Sequence, residues 1–292
     1  MAKVSVVIPA RNEKFLAPTV QDALSKAKGD VEVVVHLDGY WPNPPLPQDD
    51  RLVLVHSGTP IGMRPGINRA VEVATGTYIL KLDGHCHLAD GYDEVLKKDC
   101  GDNWVVVPRR YSLDEDSWAR RRGRTPIDYQ YLSYYEDVGG TSANDGDRGG
   151  KSLHGRNWDE KNRDPRLKEV LIDDLMTAQG SAWFMKRNYF FDLELLDDRS
   201  YGTFGNEFQE IGLKCWLSGG SVKVNKNTWY AHLHKGKKHG RGWPLGRHDA
   251  DQAAQQTRKW IRDGAWDRQT LPFKWLIQKF WPVPDWPEEW AP

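Results

Sequence analysis

The sequence predicts an α/β fold with a mainly parallel sheet flanked by helices and a basic, aromatic C-terminal extension. Two observations carry the prediction. Short β-branched runs without polar alternation recur through the first hundred residues, as expected of strands buried on both faces. Helix-compatible segments separate several of these runs, as crossovers between parallel strands require. At 292 residues the chain can form one large domain, or a catalytic domain of about 220 residues with an appendage.

The elements follow in order. Residues 4–8 (VSVVI) form the first run, and residues 15–27 follow with helical spacing through Leu16, Val20, Ala23 and Leu24. Residues 31–37 (VEVVVHL) and 52–55 (LVLV) are the second and third strands. Residues 67–74 read as a helix stopped by Gly76; residues 78–82 (YILKL) and 104–107 (WVVV) are the fourth and fifth strands. Residues 109–175 are rich in Arg, Asp, Gly and Tyr, and 139–155 have the composition of a mobile loop. A structured pattern resumes at Gly180. Residues 207–218 read as a helix ended by Gly219 and Gly220, with Phe208, Ile211 and Cys215 on one face. Glu207, Glu210 and Lys214 lie on another face, the last two spaced as an ordinary i,i+4 pair. A strand at 221–224, an extended stretch at 229–232 and a helix near 250–262 precede a Pro/Trp-rich end.

Composition excludes little. Lys+Arg and Asp+Glu both number 41, so overall charge selects no partner. The three cysteines form no CxxC pair and suit a reducing compartment better than a disulfide framework. Apolar runs are too short to cross a bilayer and no signal peptide is read, so a cytoplasmic protein is expected. Fourteen tryptophans, many near the C-terminus, suit a core edge or a binding surface.

Ligands of parallel sheets bind beyond the carboxyl ends of the strands. The residues there are Arg11-Asn12-Glu13, Asp38-Gly39 and Asp83-Gly84-His85. Asp83 and His85 can ligate one divalent cation, Mn2+ or Mg2+, which would neutralise a diphosphate leaving group; a capping turn at Asp83 is the plain alternative. Asp38 can accept a hydrogen bond from the N3–H of uracil, or close a simple Asp-Gly turn. His232 is a third ligand or a structural residue, and only one of His232 and His234 is expected to point into the cleft. His87 is a spare ligand or a surface residue. Glu207 either compensates a helix dipole or serves as an acceptor-side carboxylate, orienting a hydroxyl or acting as base.

These residues fall in a familiar order. VSVVIPARNE (residues 4–13) resembles the opening strand of family 2 glycosyltransferases, and GMRPGINRAVEVATGTYILKLD (62–83) resembles the stretch leading to their metal motif. DGHC (83–86) looks closer to the D-x-H-C variant of the polypeptide N-acetylgalactosaminyltransferases. EFQEIGLKCWLSGG (207–220) and AHLHK (231–235) resemble later segments of that same family. The likeness covers roughly residues 3–108 and 178–235. It implies a GT-A, nucleotide-diphospho-sugar transferase fold with a UDP-sugar donor. It also implies Asp83, His85 and His232 around a metal, with Asp38 at uracil and Ala10, Asn12 and Glu13 near the nucleotide. Arg64 would reach the donor, and Glu207 would face a substrate sugar or acceptor. The implied division is a catalytic domain over 1–235 and a lid with a helical, Trp-rich extension over 236–292. The catalytic domain comprises a nucleotide-sugar half (1–108), an acceptor-side insertion (109–178) and an acceptor-side half (179–235).

One departure bears on mechanism. Inverting family 2 members usually carry a Glu-Asp pair where this chain has Glu207-Phe208, which favours a retaining reaction. The acceptor is read from basic clusters at 109–110, 120–124 and 235–241, interleaved with Tyr111, Trp118, Tyr129, Tyr131, Tyr134, Tyr135 and Trp243. Such patches suit nucleic acid, and a hydroxymethylated pyrimidine in DNA would fit as acceptor. The alternatives are a protein or glycan acceptor, with the basic clusters gripping the diphosphate and residues 235–241 as a lid, or a nucleic-acid-binding protein with a vestigial transferase site.

Overall fold

The computed structural model describes residues 2–134, 153–240, 242–243, 247–262 and 264–292. Tyr135, Arg241 and most of the loop expected at 139–155 lie outside the described residues. The strands are β1 (Val4–Ala10), β2 (Val31–Asp38), β3 (Leu52–Ser57), β4 (Tyr78–Leu82), β5 (Cys86–Leu88) and β6 (Trp104–Asp114). They continue as β7 (Ala119–Arg120), β8 (Gln130–Leu132), β9 (Gly155–Asn157), β10 (Ile172–Asp174), β11 (Ala182–Lys186) and β12 (Ser221–His232). The helices are α1 (Leu16–Lys26), α2 (Met63–Val73), α3 (Tyr92–Lys98), α4 (Asp159–Arg163), α5 (Pro165–Lys168), α6 (Arg187–Asp192) and α7 (Asp198–Tyr201). After them come α8 (Glu207–Leu217), α9 (Gly236–His239), α10 (Arg247–Arg262) and α11 (Phe273–Phe280).

The main sheet runs β10-β12-β6-β11-β4-β1-β2-β3. Along this path β3, β2, β1, β4, β6 and β12 share one direction, and only β11 and β10 run against it. The mainly parallel sheet is therefore present. Its inner strands are mostly apolar because both faces are covered: β1, β2 and β4 supply Val6, Val7, Ile8, Val33, Val34, Val35, Leu80 and Leu82 to the core.

Register then positions the site. Ala10 pairs with Leu37, so Arg11 and Asp38 emerge side by side. Val7 pairs with Lys81, which brings Asp83 out two residues later beside the end of β1. His232 pairs with Cys86, which delivers the distant imidazole beside His85. The strands read separately at 221–224 and 229–232 are one strand, β12, whose register shifts between Asn225 and Trp229. This continuation pairs with Arg109–Ser112, so β6 runs well past the apolar run that reveals its start.

The Trp-rich end is core edge, not binding surface. Trp275 and Phe280 of α11 pack on Trp216 of α8, and Trp286 Nε1 donates to the Leu132 carbonyl at 2.6 Å. No helix among the described residues is long and apolar enough to cross a membrane.

Helix α8 departs from its predicted two faces. Glu210 and Lys214 are buried with its apolar residues. Glu210 accepts from Lys214 Nζ at 2.8 Å and pairs with the guanidinium of Arg64 on α2, which is itself fully buried and stacked on Tyr201. Removing one member of a buried ion group strands the others. Glu210→Ala should therefore destabilise the fold by about 3–5 kcal/mol, read as a lower urea midpoint at unchanged slope. A loss within about 0.5 kcal/mol would show that the network is not structural.

Candidate active site

The strand ends enclose a cleft of about 620 Å3, within the usual size range of small-molecule sites. Asp83 lies at its floor with its two oxygens divided. Lys81, buried in the middle of β4, donates to Oδ1 and also to the Gly180 carbonyl at 2.7 Å. Oδ2 faces His232 Nε2 at 3.3 Å and His85 Nε2 at 3.9 Å, and the two Nε2 atoms are 3.0 Å apart. Two ligands at right angles on an ion, each at about 2.1 Å, stand about 3 Å apart, so this donor set fits a small divalent cation. Cation binding requires a lone pair on each Nε2 and hence a proton on each Nδ1. Glu13 Oε2 accepts that proton from His85 at 3.0 Å, the second layer that orients a metal-binding imidazole. His232 Nδ1 has no partner among the described residues.

Electrostatics keep the group ready. Burial pushes His232 down to about 3, so its ring is neutral at physiological pH. Burial also works against ionisation of Asp83, but the Lys81 ammonium and the His232 contact offset it and hold this carboxyl well below the usual range. Burial of Glu13 is likewise outweighed by His85 and Lys235, which hold it down to about 2. Gly84 is needed for this approach, since a Cβ there would stand 2.9 Å from Glu13 Cγ.

Asp38 is buried at the second strand end. Its Oδ1 accepts from Ile61 N at 2.6 Å; its Oδ2 accepts from Gly62 N at 3.1 Å and from Arg11 Nε at 2.7 Å. Gly62 has φ 107°, and a Cβ there would meet Thr203 at 2.3 Å. Trp243 lies 4.8 Å from the Arg11 guanidinium. Glu207 opens α8 on the opposite wall, where its Oε1 accepts from Gly205 N at 2.8 Å.

Several expectations need correction. Ala10, Glu13, Asp38, Asp83, His85, Glu207 and His232 do line the cleft. Arg64 does not, because its guanidinium is buried against Glu210 and the Gly205 carbonyl. Asn12 also lies outside it and donates to the Gly242 carbonyl at 2.9 Å. His232 and His234 both line the cleft with rings 5.1 Å apart, as residues two apart on an extended chain share a face. His87 is 3.0 Å from Asp22 and takes no part in the Asp-His-His group. Sequence reasoning missed Lys81 as a site residue; its signal was a lone charge inside an apolar strand.

The solved structure described as GalNAc-T7 with UDP, GalNAc and Mn2+ shares the fold, with a TM-score of 0.56 and 17% identity over 84% of this chain and 45% of that one. The sheet is that of the GT-A fold. The sequence profile "Glycosyl transferase family 2" matches residues 5–191, more than half of the chain, and the chain belongs to that family. Polypeptide N-acetylgalactosaminyltransferase 5 of Caenorhabditis elegans is 24% identical over 171 residues, 57% of this chain and 25% of that protein. A Drosophila melanogaster protein provisionally named polypeptide N-acetylgalactosaminyltransferase 13 is 25% identical over 257 residues, 80% of this chain and 42% of that protein. The chain thus spans less than half the length of these curated relatives.

The buried imidazole has a pH consequence. Folded His232 takes up a proton only near pH 3, whereas an unfolded histidine does so near 6.5. Between those values the unfolded chain binds more protons, so stability rises with pH. Glu13, lowered from 4.5 to about 2, adds the same sign at the acid end. The unfolding midpoint should fall as pH drops from 6.5 toward 3, and less steeply in His232→Asn. An identical pH profile in that variant would contradict a neutral buried ring.

Proposed function

We propose that the chain transfers a sugar from a UDP-sugar to a hydroxyl of a polypeptide, with Mn2+ or Mg2+ held by Asp83, His85 and His232. The observation that carries this reading is the convergence of those three ligand atoms, all within 4.8 Å of one another, at the floor of a nucleotide-sized cleft. The bound cation would supply positive charge at the β-phosphate as the sugar–phosphate bond breaks.

The protein's own residues do the rest. Asp38 Oδ1 accepts one backbone N–H and keeps acceptor capacity for uracil N3–H. Ala10 and the Arg11–Trp243 stack flank the nucleotide end, and Lys235, bonded to Glu13 at 2.8 Å, begins the lid. Glu207 orients the acceptor hydroxyl or the donor sugar. Phe208 is buried in the core and supplies no second carboxylate, which favours retention of anomeric configuration.

DNA as acceptor draws less support than the sequence suggested. The cations and rings behind that reading are largely engaged within the protein. Arg109 is paired with Asp128 and Lys238 with Glu115; Arg120 lies between Tyr111 and Trp229; Tyr129 and Tyr131 are buried. The named relatives point to polypeptides. A vestigial site fits poorly with an intact ligand set.

Calorimetry with UDP tests the donor reading. Binding should strengthen with Mn2+, and the metal-dependent part should fall at least about tenfold in Asp83→Ala. Metal-independent binding, unchanged in that variant, would sink it. Mass spectrometry on Ser/Thr peptides and hydroxymethylpyrimidine DNA tests the acceptor; a mass shift on DNA alone would reverse the assignment.

A further inference from the structure

Arg64 and Arg110 are both buried, but their surroundings differ. Arg64 has Glu210 as an ion partner. Arg110, on β6 opposite Tyr230 of β12, has no carboxylate within 4 Å among the described residues. Its guanidinium donates through Nη1 to Gln179 Oε1, and no other side-chain acceptor among the described residues takes its remaining N–H groups. A largely buried guanidinium whose one described partner is a neutral amide lacks a counter-charge, and its other N–H groups are left for solvent or a ligand. Burial accordingly pushes Arg110 below its ordinary value.

The position is informative. Gln179 lines the cleft with Arg110 directly behind it; Arg110 holds the amide by the oxygen, which leaves the Nε2 donors for a ligand. Gly180 and Ser181 follow. The Ser181 carbonyl accepts from Asp83 N at 2.8 Å, so this segment abuts the proposed metal site. Its other neighbour is the Glu207 wall. Between Asp83 and Glu207 lies the end of the cleft where the transferred sugar and the acceptor would meet.

We propose that Arg110, with Gln179 in front of it, forms a recognition point for a carboxylate carried by one substrate. The source is either a uronate on the donor sugar or an acidic side chain beside the acceptor hydroxyl. A carboxylate there would give the buried cation its missing counter-charge and accept from both the guanidinium and the amide. An arginine just behind the cleft wall would then select acidic substrates over neutral ones, because the neutral analogue leaves the charge uncompensated. This rests on the reading of the cleft as a UDP-sugar site.

The test compares UDP-glucuronate and UDP-galacturonate with UDP-glucose and UDP-galactose, by calorimetry and by donor hydrolysis with Mn2+. A second arm compares Ser/Thr peptides with and without a neighbouring Asp. The expected result is a preference of about 10- to 100-fold for the acidic ligand in one arm. It should fall close to unity in Arg110→Met and survive in part in Arg110→Lys. Ligand-free Arg110→Met should melt no lower than wild type, since it removes an uncompensated charge. If it misfolds, Gln179→Leu at the cleft surface serves the same comparison. Equal affinity for acidic and neutral ligands in both arms overturns the proposal. So does an Arg110→Met variant that weakens UDP alone by the same factor, which would assign Arg110 to the diphosphate. UDP binding without carboxylate preference overturns only this inference, whereas no UDP binding at all takes the donor-site reading with it.

Discussion

The site depends on how the Asp83 carboxylate is shared. Lys81 binds one oxygen and ties it to the Gly180 carbonyl at the approach to β11, while the other oxygen meets two imidazoles, one just before β5 and one at the end of β12. A carboxylate at this depth, facing two rings alone, would tend to take up a proton or turn away. The ammonium prevents both. Because Lys81 sits on β4 two residues before Asp83, their side chains leave the same face of the strand. One strand and the residue that follows it thus supply both the carboxylate and the charge that keeps it ionised.

The opposite wall is organised by a second buried charge. The Arg64 backbone N–H donates to the Thr203 carbonyl at 3.1 Å, and its guanidinium binds the Gly205 carbonyl and Glu210. These contacts pin a turn in which Gly202, Gly205 and Asn206 all take positive φ. That turn sets where Glu207 begins α8. Arg64 therefore acts on the cleft through Glu207's position, and its full burial follows from that task.

The sequence was most legible where one physical rule dominates. Continuous apolar runs revealed β1 to β4 and the start of β6, because burial on both faces disfavours polar residues in the inner strands; β3 keeps its apolar run although it is a partly exposed edge. The chemistry after those strands was readable because it follows topology. Legibility failed where tertiary partners decide. Arg64 sits in a motif whose spacing fixes its place on α2 but not which way a guanidinium turns, and Glu210 draws it inward. The full lengths of β6 and β12 were hidden because polar residues there find partners across the sheet. Residues such as Tyr129 and Tyr131 looked like stacking platforms because composition records rings and not their neighbours.

Three of the four acids lining the cleft have a protein cation already: Glu13 with Lys235, Asp38 with Arg11, and Asp83 with Lys81. With His232 neutral, these pairs leave little uncommitted positive charge at the strand ends. A diphosphate entering such a site brings negative charge that the pairs cannot neutralise without being broken, and breaking a buried pair is costly. The least expensive remedy is a charge that enters with the ligand. The two imidazoles and the free oxygen of Asp83 are arranged to receive it without disturbing Lys81. The internal charge balance thus supports a cation-assisted reading on grounds separate from the ligand distances. It also sets Arg110 apart, as a buried guanidinium near the sugar end whose charge no described carboxylate answers.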